Sequence, residues 1–272
     1  MKSKQSKNNR ITQRSIKELL LPLVRLFFRP GVPMIFLAFL AISCSNSKQD
    51  SGSFTVLGKF ANCTGEKIRI EEMGINAIIP LDSANIDQAG EIRLSCKADQ
   101  AGFYLLRFPD KKKIILLLDK GENLEISGDC QNLSANLVMK GSPGSMLLAD
   151  FFRETNRNRK TIDSLKMLLK GHEGSPDFLK ISGDADAGFQ KITEDQRKLE
   201  LEFIHKNPNS LACLIVLNFS FGPQPILDID HDFDVYQRVD SALQRICPQN
   251  KHLVYHHKRV EEKKRQESVK KL

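Results

Sequence analysis

The chain has 272 residues, no tryptophan, six cysteines and a formal net charge of +8. Eight of the 41 Lys/Arg but only one of the 33 Asp/Glu fall in residues 1–43, so the remainder is nearly neutral. A nucleic-acid-binding body needs its cations on the working domain, so that class is excluded, and about 230 residues remain to build cores.

Residues 1–33 are basic and contain an apolar cluster, Leu19-Leu20-Leu21 to Phe27-Phe28, interrupted by Arg25. Residues 34–44 read Met-Ile-Phe-Leu-Ala-Phe-Leu-Ala-Ile-Ser-Cys, and the polar run Ser45-Asn46-Ser47-Lys48-Gln49-Asp50 follows. Such a run is too short to span a bilayer, which needs about 20 apolar residues. It fits the h-region of a secretory signal behind a basic n-region. Ser43 directly before Cys44 resembles a bacterial lipobox, with Ala41 where Leu is usual and Leu40 one residue further out. That resemblance implies cleavage between Ser43 and Cys44 and acylation of the Cys44 thiol. The body would then be tied to membrane lipid in the cell envelope. Ser45, in place of a retention-type Asp, points to the outer membrane facing the periplasm. The length of the n-region also fits a start codon assigned too early. An uncleaved anchor with Cys44 as an ordinary thiol is the alternative. Residues 44–52 read as a lipid-anchored tether.

From residue 53 to 141 short runs alternate apolar and polar residues between turn signals, the signature of strands. Phe54 to Phe60 is one such run. Ile68 and Ile70 share a face, as do Ile92, Leu94 and Cys96. The segments 103–108 and 114–118 read as buried on both sides, and 123–127 and 137–139 complete the set. Breaks fall at Thr64-Gly65, 88–90, Pro109-Asp110, Lys120-Gly121 and Gly128-Asp129. Strands at this spacing predict an antiparallel β-sandwich or barrel-like domain.

The period then becomes helical. Ser142 reads as an N-cap with Pro143 at the first helical position, followed by Leu147, Leu148, Phe151, Phe152, Ile162, Leu165, Leu168 and Leu169. Residues 171–188, rich in Gly, Asp and Ser, read as a loop. Thr193 with Gln196 resembles a capping box before Leu199, Phe203 and Ile204. Asn207-Pro208-Asn209-Ser210 ends that helix and caps the next, residues 211–219, whose apolar character all round predicts a central position. Residues 222–225 are a stop. Val235, Tyr236, Val239, Leu243 and Ile246 predict another helix closed by Pro248. The fold class is α+β: a β domain at 53–141, an all-α region at 142–250, and a charged C-terminal helix at 251–272 that protrudes.

Five cysteines follow Cys44, widely spaced and without a CxxC pair, so neither a zinc knuckle nor a redox dithiol is spelled out. All five read as buried structural thiols, although an exported compartment permits a disulfide that the sequence does not pair. The run Asp228 to Asp234 lacks the glycine and glutamate of an EF-hand, with Phe233 and Val239 at those positions, and reads as an acidic helix N-terminus with an Asp cap. His252 and His256 have i, i+4 spacing, but no third ligand is in view, so they and His257 read as solvated. No metal or cofactor site is spelled out, and no nucleophile, phosphate-binding or dinucleotide motif occurs. The triplets at Ser83, Ser164 and Ser241, each preceded by Asp and followed by Ala or Leu, resemble an O-glycosylation signal of exported bacterial proteins.

The order of parts carries a further likeness. The run Ile79-Pro80-Leu81-Asp82-Ser83-Ala84-Asn85-Ile86-Asp87-Gln88-Ala89-Gly90 precedes Phe103-Tyr104-Leu105, Leu118-Asp119-Lys120-Gly121-Glu122 and Ile126-Ser127-Gly128-Asp129. Lys140-Gly141-Ser142 then leads into helices containing Phe203-Ile204-His205-Lys206-Asn207-Pro208-Asn209-Ser210. This resembles the N-terminal region, of unknown function, in lipid-anchored TlpA-like thiol:disulfide interchange proteins of Bacteroidetes type. In that family a thioredoxin-like domain with a CxxC follows. No CxxC or tryptophan occurs here, so the resemblance implies architecture and placement, and no catalytic residue transfers. The resulting expectation is a non-catalytic binding or interaction module of the envelope. The alternative is a truncated or split interchange protein whose partner is a separate periplasmic thioredoxin-like protein.

Overall fold

Alternation in the first half and 3.6-residue periodicity in the second separate the chain into sheets and then helices. The computed structural model describes residues 52–270 apart from Thr64, Asp110 and Gln224; Ser43, Cys44 and the signal lie outside the described residues. Strands β1 (Ser53–Ala61), β2 (Lys67–Met73), β3 (Ile78–Asn85), β4 (Glu91–Lys97), β5 (Gly102–Arg107), β6 (Lys113–Leu118) and β7 (Asn123–Asp129) come first. A short helix α1 (Leu133–Asn136) and strand β8 (Val138–Lys140) follow. Among the described residues the strands form two four-stranded sheets, ordered β4-β1-β7-β8 and β3-β2-β5-β6. All pairings are antiparallel except β1 with β7.

The α+β class and the β-then-α order are as expected. Residues read as sharing a face do face the core: Ile68 and Ile70 on β2, and Ile92, Leu94 and Cys96 on β4, are all buried, as are Phe54, Val56 and Phe60 on β1. They meet Leu106, Leu116, Leu118, Leu124 and Ile126 from the other strands in one apolar cluster. At about 25 cal/mol per Å² of buried apolar surface, this layer is the main stabilising element of the β part. Strand β3 escaped the periodicity because nearly all of its side chains are exposed. It is an edge strand, interrupted by Pro80 and paired to β2 across a register shift at Ile70/Glu71.

Helices α2 (Pro143–Gly171), α3 (Phe178–Lys206), α4 (Ala212–Val216), α5 (Phe233–Gln244) and α6 (Lys251–Lys270) make the second part. Gly141, at φ +81°, turns the chain into α2; a Cβ there would lie 2.0 Å from the Asn123 carbonyl oxygen. Ser142 is the N-cap, accepting from the Ser145 amide, and Pro143 opens the helix as expected. Helix α2 buries Leu148, Phe151, Thr155 and Ile162, and α3 buries Ala185, Ile192, Gln196, Glu200 and Ile204.

The loop expected at 171–188 is corrected: α3 starts at Phe178 and runs through that stretch. Low helix propensity is overridden by packing, because Ala185 is buried and Gly188 lets α3 close on Leu165, where an added Cβ would sit 3.0 Å from Leu165 Cδ1. The capping box at Thr193 and Gln196 is likewise corrected. Both lie inside α3, where the Thr193 hydroxyl donates to the Phe189 carbonyl and Gln196 is fully buried. Helix α4 is only five residues long, yet Ala212, Cys213, Leu214, Val216 and Leu217 are buried at the centre of the helical cluster, as their composition demands. The outer face of the β3-β2-β5-β6 sheet joins that cluster through Phe103, Ile115 and Leu117.

Candidate functional site: a basic-rimmed groove at the β6 edge

Strand β6 alternates faces: Ile114, Leu116 and Leu118 point into the sandwich, while Ile115 and Leu117 point toward the helices. Helix α2 begins hard against the end of this strand. Ser142 and Ser145 hydroxyls donate to the Leu117 carbonyl at 3.0 and 2.9 Å, and the Leu117 amide donates to Ser145 Oγ at 3.1 Å. Gly144 allows this approach, since a Cβ there would meet Leu117 Cγ at 2.7 Å. Further along, a groove of about 700 Å³ opens between the start of β6, α1, α2 and the end of α4.

The floor of the groove is apolar, built from Ile115, Leu133, Leu137, Phe152, Ile215 and Phe219. Phe152 and Phe219 belong to a run of edge-on and tilted rings with Phe151, Phe203 and Phe221. The rim carries Lys112, Lys113, Arg153 and Arg159, and among the described residues no carboxylate lines the groove. Lys112 donates to the Cys130 carbonyl at 2.7 Å, and Arg153 pairs with Asp150 at 2.7 Å on the surface. Arg159 lies over the Phe221 ring, 6.0 Å from its centroid, and neither it nor Lys113 has a carboxylate partner among the described residues. Chemically, the lining offers apolar contact, amide hydrogen bonds and positive charge. Among the described lining residues there is no nucleophile–base pair or acid–base pair of the kind that supports catalysis.

The residues singled out from sequence lie elsewhere. Cys63 and Cys130 are joined in a disulfide across a sequence separation of 67, which corrects their reading as buried thiols and supplies the pairing that the sequence left open. The bridge ties the end of β1 to the end of β7, where the two strands run parallel. Glu66 approaches these sulfurs, but with them bonded to each other the trio is no metal site. Cys96, Cys213 and Cys247 are free. Burial pushes the Cys96 and Cys213 thiols up to about 12 and raises Cys247 as well, so none of the three is a ready thiolate.

The histidines are corrected too. His252 and His256 are buried, not solvated. His252 stacks edge-on against Phe103, and His256 bonds to the Tyr236 carbonyl at 3.2 Å. Exclusion from water lowers both, His252 to about 4. His257 pairs with Asp240 at 2.9 Å. Helix α6 therefore packs through its first turns, anchored by Asn250 to the Ala101 carbonyl and by Lys251 to Glu72.

The acidic run divides its work. Asp232 stands at the N-cap position of α5 but makes no side-chain cap bond. Its buried carboxylate accepts both Arg197 guanidinium nitrogens and the Asp228 amide, and the Arg197 bonds hold it below the usual carboxylate range. Asp230 pairs with Lys263 at 2.6 Å. Ser83 is exposed on the β3 edge, and Ser164 and Ser241 are exposed on α2 and α5. No signal in the sequence united Lys113 with Arg159, because a groove between a strand edge and two helices has no linear spacing.

No family model matches the chain, and no curated protein matches it. Among solved structures, an NMR structure of a protein from Eubacterium rectale is similar over 37% of this chain and 95% of that one, at 9% identity and a TM-score of 0.22. At that level the likeness carries no argument about fold or function. Among the described residues no helix is long and apolar enough to cross a membrane.

Proposed function

We propose that this chain is a non-catalytic binding module of the cell envelope, held to membrane lipid through acylated Cys44 after cleavage behind Ser43. The groove beside β6 is its binding site, and its ligand or partner is apolar with negative charge. One observation carries this reading: four cations and an apolar aromatic floor share a groove of about 700 Å³ that no carboxylate among the described residues lines. Such a composition suits capture and orientation. The high thiol values of Cys96 and Cys213 and the bonded state of Cys63 and Cys130 argue that this chain supplies no redox pair of its own. A role in thiol:disulfide exchange would then need a separate thioredoxin-like protein.

Two measurements test the proposal. Titration of the purified full chain with anilinonaphthalenesulfonate, an apolar anion, is expected to give micromolar binding that Arg159→Glu weakens at least tenfold. Binding that ignores Arg159→Glu rejects the groove. The intact mass of the protein extracted from cells is expected to show a chain starting at residue 44 with acyl groups. A retained leader without acyl groups rejects the anchor.

A further inference from the structure

The alternation of hydrogen-bonded and open pairs along β6 points to the form of the groove's occupant. In an antiparallel ladder, residues that exchange hydrogen bonds with their partner alternate with residues whose N–H and C=O point away. The Phe108 amide bonds to the Lys112 carbonyl at 2.9 Å, and Leu106, Tyr104 and Gly102 stand opposite Ile114, Leu116 and Leu118. The even positions of β6 therefore bond to β5, and Lys113, Ile115 and Leu117 turn their backbone groups outward. Leu117 verifies the parity, because its amide and carbonyl meet the Ser145 and Ser142 hydroxyls. Lys113 and Ile115 have no such cover: no described residue bonds their outward groups. Both residues line the groove.

An open edge is a template for another chain unless the protein blunts it. The other sheet edges are blunted or short. β3 carries Pro80 and a register shift, β4 lies beside β3, and β8 is three residues long. Helix α2 runs beside the β6 edge: its serines bond Leu117 at one end, and next to Lys113 and Ile115 the space between strand and helix is the groove.

We propose that the groove receives its partner as an added β-strand: an extended segment of another polypeptide, bearing Asp or Glu side chains, that pairs with the backbone of Lys113 and Ile115. This rests on the groove being the binding site and specifies what enters it. Main-chain bonds to the edge supply affinity, and alternate side chains supply specificity. A strand sends successive side chains to opposite faces; those on the side that Ile115 and Lys113 share turn toward the helices, where the apolar floor of Phe152, Ile215 and Phe219 and the rim cations Arg153 and Arg159 lie together. The charge of the rim, with no carboxylate among the described lining residues, selects acidic over basic segments.

The probe is a hexapeptide of alternating valine and glutamate, titrated calorimetrically into the full chain. It is expected to bind, while a valine–lysine peptide does not. N-methylation of every second peptide amide is made in both frames. The frame facing β6 is expected to weaken binding at least tenfold and the other frame hardly at all. Ile115→Pro removes the outward amide without touching a β5 bond, and is expected to keep the fold while losing the peptide at least tenfold. Should that variant not fold, the two methylation frames on the unaltered protein decide. Equal binding of both frames overturns strand addition. Binding of anilinonaphthalenesulfonate in an Arg159-dependent manner with no peptide binding overturns strand addition and leaves the groove reading standing. Binding of neither overturns both. A dimer of this chain that the peptide fails to displace would also overturn it.

Discussion

The sheets and the helices bury different chemistry. Within the sandwich the buried polar side chains are few, with Thr55 and Glu71 the principal ones, and Glu71 is neutralised by Arg107 at 2.8 Å. The helical part buries Thr155, Gln196, Glu200, Asp232, Asp240, His252, His256 and Lys263. Between α2 and α3 these form a chain of bonds: Asn158 to Gln196 at 3.0 Å, and Gln196 to Thr155 and Glu200 at 3.2 and 3.1 Å. The β part is therefore held by apolar area and one disulfide, whereas the helical part is held by apolar area plus a titratable interior. A redox change should register in the first and a pH change in the second.

The largest expected effect comes from the centre of the helical cluster. Leu214→Asp would bury an uncompensated charge where a leucine is 6% exposed, at a cost of about 4 kcal/mol or more. Far-UV circular dichroism under urea is expected to show early loss of helix, and an unchanged midpoint would contradict the packing described here. Next comes the disulfide. Replacing Cys63 and Cys130 together by serine frees a 67-residue loop, worth about 4 kcal/mol in the chain-entropy account. Hydrogen exchange should quicken at Phe60 and Ile68 more than at Val239 and Leu243; the reverse order would break the contrast.

Smaller, and opposite in sign with pH, are the buried carboxyl and imidazole. Burial pushes Glu200 up to about 8 from its usual 4.5. Between those values the native state holds a proton that the unfolded chain releases. This stabilisation is complete below about pH 4.5 and is lost as pH rises through about 8. Glu200→Gln is expected to match the parent at about pH 4 and to exceed it at about pH 9 by a margin on the order of a few kcal/mol, read from urea midpoints. His252 behaves inversely. Held down to about 4 from 6.5 by burial, it contributes stability that is present above about pH 6.5 and lost as pH falls to about 4. His252→Phe should flatten the acid side of the profile, and an acid limb unchanged by that variant would remove His252 from the account.

Much of the sandwich was legible because its strands bury one face. Ile68/Ile70 and Ile92/Leu94/Cys96 announce themselves by period. β3 did not, since a strand exposed on both faces has no apolar period to read. The start of α3 was hidden by Gly183, Asp184, Asp186 and Gly188, whose weak helix propensity is overcome by contacts from α2 that no local window contains. The buried histidines were misread for a related reason. A charged helix with a single apolar seam looks solvated until Leu253 and Val260 are seen to be covered. Of the groove, Phe152 and the flanking basic residues were visible as residues. Their convergence with the open backbone of β6 was not, because it depends on tertiary approach and strand parity.

The central claim is that recognition occurs at the β6 groove, and residue-resolved NMR tests it most directly. On titrating the full chain with the valine–glutamate peptide, amide shifts are expected to centre on Lys113, Ile115, Phe152, Arg153 and Arg159. Shifts gathered instead on the exposed β3 edge around Ile78 and Ile79, or none at saturating peptide, would contradict it.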